Sequence, residues 1–137
     1  MVNFYSGFVV PEAAQASLEM FQVARDLQKR YPREADFRTA FRQWHREHPI
    51  PRGSVHDVVD HIEHIIKVAG IEHVGLGSDF DGISTVPLQL EDVSCYPYVT
   101  QELLNRGHSK EEILKVLGAN LLRAFREAEA VAKKGRT

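Results

Sequence analysis

The stretch HVGLGSDFDG, residues 73–82, ends in two carboxylates separated by one aromatic residue. His73 to Ser78 alternate apolar side chains with glycine or polar ones, which is the pattern of a short strand. In parallel α/β architectures the C-terminal ends of strands face the active site. A carboxylate just past such a strand can accept a proton or hold a metal-bound water. Asp79 and Asp81 are therefore the candidates for acid–base chemistry. Their plainer role is to shape a turn, with Gly82 supplying a positive φ. The dipeptide chemistry alone favours the turn. Gly75 and Gly77 strip bulk from one side of the strand, which permits close packing or close approach of a ligand.

A second cluster lies in VVDHIEHIIK, residues 58–67. His61 and His64 are three apart and share a helix face, with Asp57, Asp60 and Glu63 nearby, so a metal site is conceivable there. The apolar stripe of the same segment runs through Val58, Val59, Ile62, Ile65 and Ile66, however. Both histidines thus fall mostly on the solvated face, and no third ligand is evident. His45 and His48 sit near a helix end, where a cation suits the helix dipole. Phe37, Phe41 and Trp44 read as packing rather than a cofactor site. Cys95 has no histidine partner nearby in sequence, which argues against thiol catalysis.

These residues need elements to hold them. Val2–Val10 is rich in Val, Phe and Tyr and predicts a strand that Pro11 ends. Residues 12–31 predict a helix with Ala13, Ala16, Met20, Val23, Ala24 and Leu27 near a 3.6 spacing, stopped by Pro32. Residues 34–48 predict a second helix. Ser54 is an N-cap for a third, and Gly70 its C-cap. The strand Val74–Ser78 follows. Residues 83–96 form a long loop of the kind that works rather than merely connects. A helix begins near Pro97 and ends at Gly107. Ser109 and Glu112 make a capping box for a short helix to Leu117. Gly118 breaks the chain, and Asn120 starts a last helix with Leu121, Leu122, Phe125 and Ala128 inward. The order strand, helices, strand predicts an α/β arrangement with parallel strands, but too few of them to close a sheet.

The bulk numbers bound what such a chain does. Its 137 residues suffice for one modest core, with 43% apolar and 26% charged residues. A net charge of −2 leaves no nucleic-acid footprint. No apolar run approaches the ~20 residues of a membrane span. The N-terminus lacks the basic region and cleavage site of a signal peptide. A single cysteine excludes an internal disulfide and suits a reducing compartment.

Three stretches match a known pattern in order and spacing: VNFYSGFV, VVDHIEHIIKVAGIEHVGLGSDFDGI, and LEDVSCYPYVTQELLNRGHSKEEILKVLGANLLRAFREAE. Together they resemble the C-terminal part of the membrane (renal) dipeptidase family, across nearly the whole chain. Residues 12–52 are the least specific part and look like an extra helical excursion of bacterial relatives. The resemblance implies a (β/α)₈ TIM barrel with two zinc ions at its C-terminal face, Val2–Val10 matching the seventh strand and Val74–Ser78 the eighth. It implies that Asp79 is the catalytic aspartate, which contacts the metal-bridging water and handles its proton. It also places Phe8 where some members have a tyrosine lining the substrate pocket.

The resemblance covers about a quarter of a barrel. The family's zinc ligands, and its substrate-contacting histidine and arginine, all lie upstream of the matched region, and none carries over to a residue here. The expectation is thus a predominantly helical single segment, 1–137, from the C-terminal portion of an α/β barrel. It would belong to a zinc-dependent dipeptidase acting on dipeptides, with the Zn²⁺ pair held in the intact enzyme and none by this chain alone. It would be completed by the missing N-terminal part of the barrel or by self-association into a homo-oligomer. The rival expectation is a non-catalytic helical interaction protein. The bacterial-type relatives and the lone cysteine point to the cytoplasm.

Overall fold

A computed structural model describes residues 1–135. Seven α-helices carry most of the chain: α1 Ser6–Val9, α2 Pro11–Arg30, α3 Glu34–Glu47, α4 Val55–Ala69, α5 Tyr96–Asn105, α6 Lys110–Leu114 and α7 Asn120–Lys134. The punctuation predicted from sequence places their ends. Pro11 opens α2, where its missing N–H costs nothing. Ser54 and Asp57 close a reciprocal capping box on α4, and Gly70 ends that helix at φ 91. Ser109 and Glu112 form the same box on α6. Gly118 departs from helical geometry inside a wide turn over Lys115–Ala119.

The strands are the correction. Among the described residues, pairing between the two expected strands is a single parallel bridge, Val2 with Leu76. Its hydrogen bonds run from Val2 N–H to Gly75 O at 2.6 Å and from Gly77 N–H to Val2 O at 2.9 Å. The segment expected to extend to Val10 instead turns into α1 at Ser6. The turn begins where the Asn3 side chain accepts the Tyr5 N–H at 2.7 Å, drawing the backbone out of a ladder. Two strands with no neighbours have little else to hold them extended. The chain is predominantly helical, as expected, and the two expected strands are reduced to this bridge. Gly75 and Gly77 accommodate packing: a Cβ on either would stand 2.9–3.0 Å from atoms of Met1.

The main core gathers around that bridge. Phe4, Val58, Val59, Ile62, Leu90, Val99 and Leu103 are at 0% exposure within one cluster. The face of α4 seen in the sequence is thus the face that is buried. A smaller cluster joins Ala13 and Met20 of α2 to Ile50, with Phe41 and Trp44 of α3 packed on it. Phe37, Phe41 and Trp44 stack at 5.7 and 6.4 Å between centroids, so the aromatic stripe does pack. The inward face expected for α7 is not found: Leu121, Leu122 and Phe125 are exposed by 53%, 53% and 63%, and Ala128 is exposed as well. The helix is held at its first residue instead: Asn120 donates to Ile71 O at 2.6 Å and to Val74 O at 2.8 Å.

Candidate functional site

The candidate site lies where the chain leaves the bridge. Asp79 follows Ser78 at φ 62, and it is Asp79 rather than Gly82 that takes the left-handed backbone. Aspartate tolerates that region better than most side chains. Gly82 N–H donates to Asp79 O at 2.9 Å, closing a four-residue turn. A Cβ at Gly82 would stand 2.4 Å from Asp79 Oδ1, so glycine is required there by the carboxylate rather than by φ. The turn and the presented carboxylate are thus one structure.

Asn3 orients that carboxylate. Its Nδ2 donates to Asp79 Oδ2 at 2.9 Å, while its Oδ1 accepts from Tyr5 N–H. One side chain therefore fixes both the entry to α1 and the direction of Asp79. Asp79 and Asp81 border a cavity of about 440 Å³ that opens to solvent. Tyr5, Phe8, Met20 and Phe21 line the same cavity. Phe8 is 65% exposed and meets the Tyr5 ring edge-on, centroids 5.2 Å apart. The structure therefore brings together the two site residues named from sequence, Asp79 and Phe8.

The loop after the turn is anchored beside the cavity. Arg52 donates through Nε to Val86 O at 2.8 Å and through Nη2 to Glu91 at 2.8 Å. The guanidinium holds the Glu91 carboxyl below its usual range. Ser54 and Leu88 add a second parallel bridge. Ser6 N–H reaches Thr85 O at 3.1 Å, and Ser6 Oγ reaches Arg52 O at 2.6 Å. Sequence reading missed Arg52 and Asn3. An arginine in PIPRG and an asparagine in VNFYSG carry no spacing signal; only their distant partners reveal them.

The histidine-bearing face of α4 serves structure. Arg106 joins Asp60, Glu63 and Glu102, the last at 2.7 Å. His108 meets Glu63 at 3.2 Å and His56 meets Glu102 at 2.9 Å. Hydrogen bonds from Arg106 and then His56 pull the Glu102 carboxyl down to about 2. His64 is exposed and His61 half-buried. Among the described residues no three His, Cys, Asp or Glu side chains gather where they could hold a metal ion. The donors among the described residues therefore do not by themselves fit a two-zinc centre. Cys95 is half-buried and lies 3.9 Å from a Glu91 oxygen, with no imidazole against it.

A parallel bridge delivering an oriented carboxylate to a cavity is the kind of site that hydrolases use, and similarity to known sequences narrows the class. The model of the membrane dipeptidase family, peptidase family M19, matches residues 1–137. The chain belongs to that family. It is 51% identical over 80 residues to dipeptidase aclJ of Aspergillus oryzae, covering 58% of this chain and 19% of that protein. An uncharacterized dipeptidase of Schizosaccharomyces pombe is 51% identical over 82 residues, covering 59% of this chain and 20% of that one. Dipeptidase tcpJ of Claviceps purpurea is 43% identical over 93 residues, 68% of this chain and 22% of its own. The chain thus spans about a fifth of the length of the curated relatives it matches. Among solved structures, the probable dipeptidase PvdM from Pseudomonas aeruginosa superposes with a TM-score of 0.63 at 26% identity, over 89% of this chain and 35% of that one.

Proposed function

We propose that this chain is the part of a dipeptidase that supplies a proton-handling carboxylate and an apolar wall to a site of dipeptide hydrolysis. The observation that carries the reading is Asp79, held by Asn3 in the lining of a cavity that Tyr5, Phe8 and Phe21 also line. A carboxylate so placed takes a proton from an attacking water as the water oxygen bonds to the peptide carbonyl carbon. It returns that proton to the amine nitrogen as the C–N bond breaks. Asp81 shapes the turn. The loop 83–96, anchored by Arg52, forms part of the rim.

In this reading the chain occupies the position of the last two strands of a (β/α)₈ barrel, and the zinc pair implied by the family resemblance is held by polypeptide outside these residues. The relatives are dipeptidases by name in each case, which supports the substrate class. The purified chain alone then releases no amino acids from dipeptides, with or without added zinc. Turnover by this chain, with two zinc ions bound per molecule, overturns the division of labour.

A second reading has its own support. Leu121, Leu122 and Phe125 on α7, all more than half exposed, suit a chain that associates with its own kind. Hydrolysis that appears when the rest of a family barrel is supplied, and disappears with Asp79→Asn, favours the first reading. A stable oligomer to which Asp79→Asn makes no difference in any hydrolytic assay favours the second.

A further inference from the structure

The helical excursion over residues 12–52 is the part of the chain that the family pattern explains least, yet it reaches the candidate site. Met20 and Phe21 of α2 line the same cavity as Asp79 and Asp81. Their placement is built in. Tyr5 Oη donates to Ser17 Oγ at 2.9 Å, and Ser17 Oγ donates to Ala13 O at 2.6 Å, all buried. A Cβ on Gly7 would stand 2.5 Å from Ser17 Oγ and 2.6 Å from the Tyr5 ring. The glycine therefore lets α2 lie against α1, and the hydroxyl pair fixes its rotation. The next turn of α2 carries Met20, 8% exposed, and Phe21, 53% exposed. Phe21 and Phe8 thus leave large apolar rings in the lining of the cavity that Asp79 and Asp81 also line. A recess with an apolar wall and a few convergent polar groups is the usual form of a small-molecule site.

We infer that α2 is the specificity wall of this site, and that Phe21, with Phe8, selects dipeptides carrying a large apolar side chain. The inference rests on the reading of the cavity as a dipeptide site. Phe21 takes no part in the chemistry; it holds the substrate's side chain while the backbone amide faces Asp79. Burying a side chain of phenylalanine size against such a wall gains roughly tenfold or more in affinity over glycine at the same place. Phe21 is more than half exposed, so its removal leaves the core of α2 intact.

The test is a titration of the isotope-labelled 137-residue chain with Gly-Phe, Phe-Gly and Gly-Gly, followed by amide chemical shifts. At least one phenylalanine-containing dipeptide binds about tenfold more tightly than Gly-Gly, with shifts at residues 5–8, 20–21 and 79–84. Phe21→Ala brings that affinity down to the Gly-Gly level, and Phe21→Leu keeps most of it. Equal binding of all three dipeptides, no binding, or a preference indifferent to Phe21→Ala overturns the inference. Hydrolysis by an intact enzyme containing this chain is scored separately with Asp79→Asn. A Phe21-dependent preference without Asp79-dependent hydrolysis removes the proposed function and keeps the binding wall. Asp79-dependent hydrolysis indifferent to Phe21 does the reverse.

Discussion

Asn3 and Asp79 lie 76 positions apart in sequence and share a hydrogen bond of 2.9 Å, from Asn3 Nδ2 to Asp79 Oδ2. The bond ties the two segments of the bridge together just past its end and points the carboxylate into the cavity.

Asp79→Asn preserves shape and the left-handed backbone, since asparagine also tolerates positive φ. It cannot accept a proton. In an intact enzyme containing this chain, kcat falls by about 10²–10⁴, the usual contribution of an acid–base group. Asp81→Asn costs far less. Parallel kcat measurements on the two variants check this, and equal losses defeat the assignment.

Gly82→Ala places a methyl 2.4 Å from the present position of Asp79 Oδ1. The carboxylate must swing away, and the bond from Asn3 weakens. Activity in the intact enzyme drops by at least tenfold, while urea unfolding of the 137-residue chain shifts by less than about 1 kcal/mol because the displaced group is exposed. A large loss of stability with unchanged activity would contradict this account.

Gly7→Ala has the opposite signature. The added methyl meets the buried Ser17 hydroxyl and the Tyr5 ring. Overpacking of this kind costs about 1–3 kcal/mol, read as a lower urea midpoint.

The cluster at Arg106 sets an acid limit. Hydrogen bonds from Arg106 and His56 depress the Glu102 carboxyl to about 2 from its ordinary 4.5. A carboxyl with a lowered folded-state pKa contributes stability above its unfolded value, and loses it as pH falls through the folded one. Stability therefore declines between about pH 4.5 and 2. Arg106→Met shrinks that decline, because the Glu102 carboxyl moves back toward its unfolded value, and lowers the melting temperature at neutrality, where Asp60, Glu63 and Glu102 then face one another. Thermal melts across pH 2–7 provide the measurement.

Leu121, Leu122 and Phe125 predict self-association. Light scattering finds a dimer or larger species, and Leu122→Lys with Phe125→Lys returns it to a monomer. A monomer at high concentration in the unaltered chain counts against that prediction.

The local signals in the sequence were sufficient wherever a few neighbouring residues decide the outcome. Pro11, the Ser54 and Ser109 caps, Gly70 and the α4 stripe all do their work within one helical turn, so helix ends and the buried face of α4 were legible. The motif around Asp79 marked it as a candidate by the same kind of local signal. The strands were not legible, because a strand's partners lie elsewhere: Val2–Val10 has strand composition but meets a partner only at Leu76, and Asn3 redirects it into α1. The inward face assigned to α7 failed for a similar reason. Amphipathic spacing shows that a helix has an apolar side, not that another element lies over it. What the tertiary structure alone decided is the site's composition. It set Asn3 against Asp79, Arg52 against the 83–96 loop, and Phe21 of an apparently separate excursion in the lining of the cavity that Asp79 borders. Each joins residues more than thirty positions apart, a range at which only the folded path of the chain fixes who meets whom.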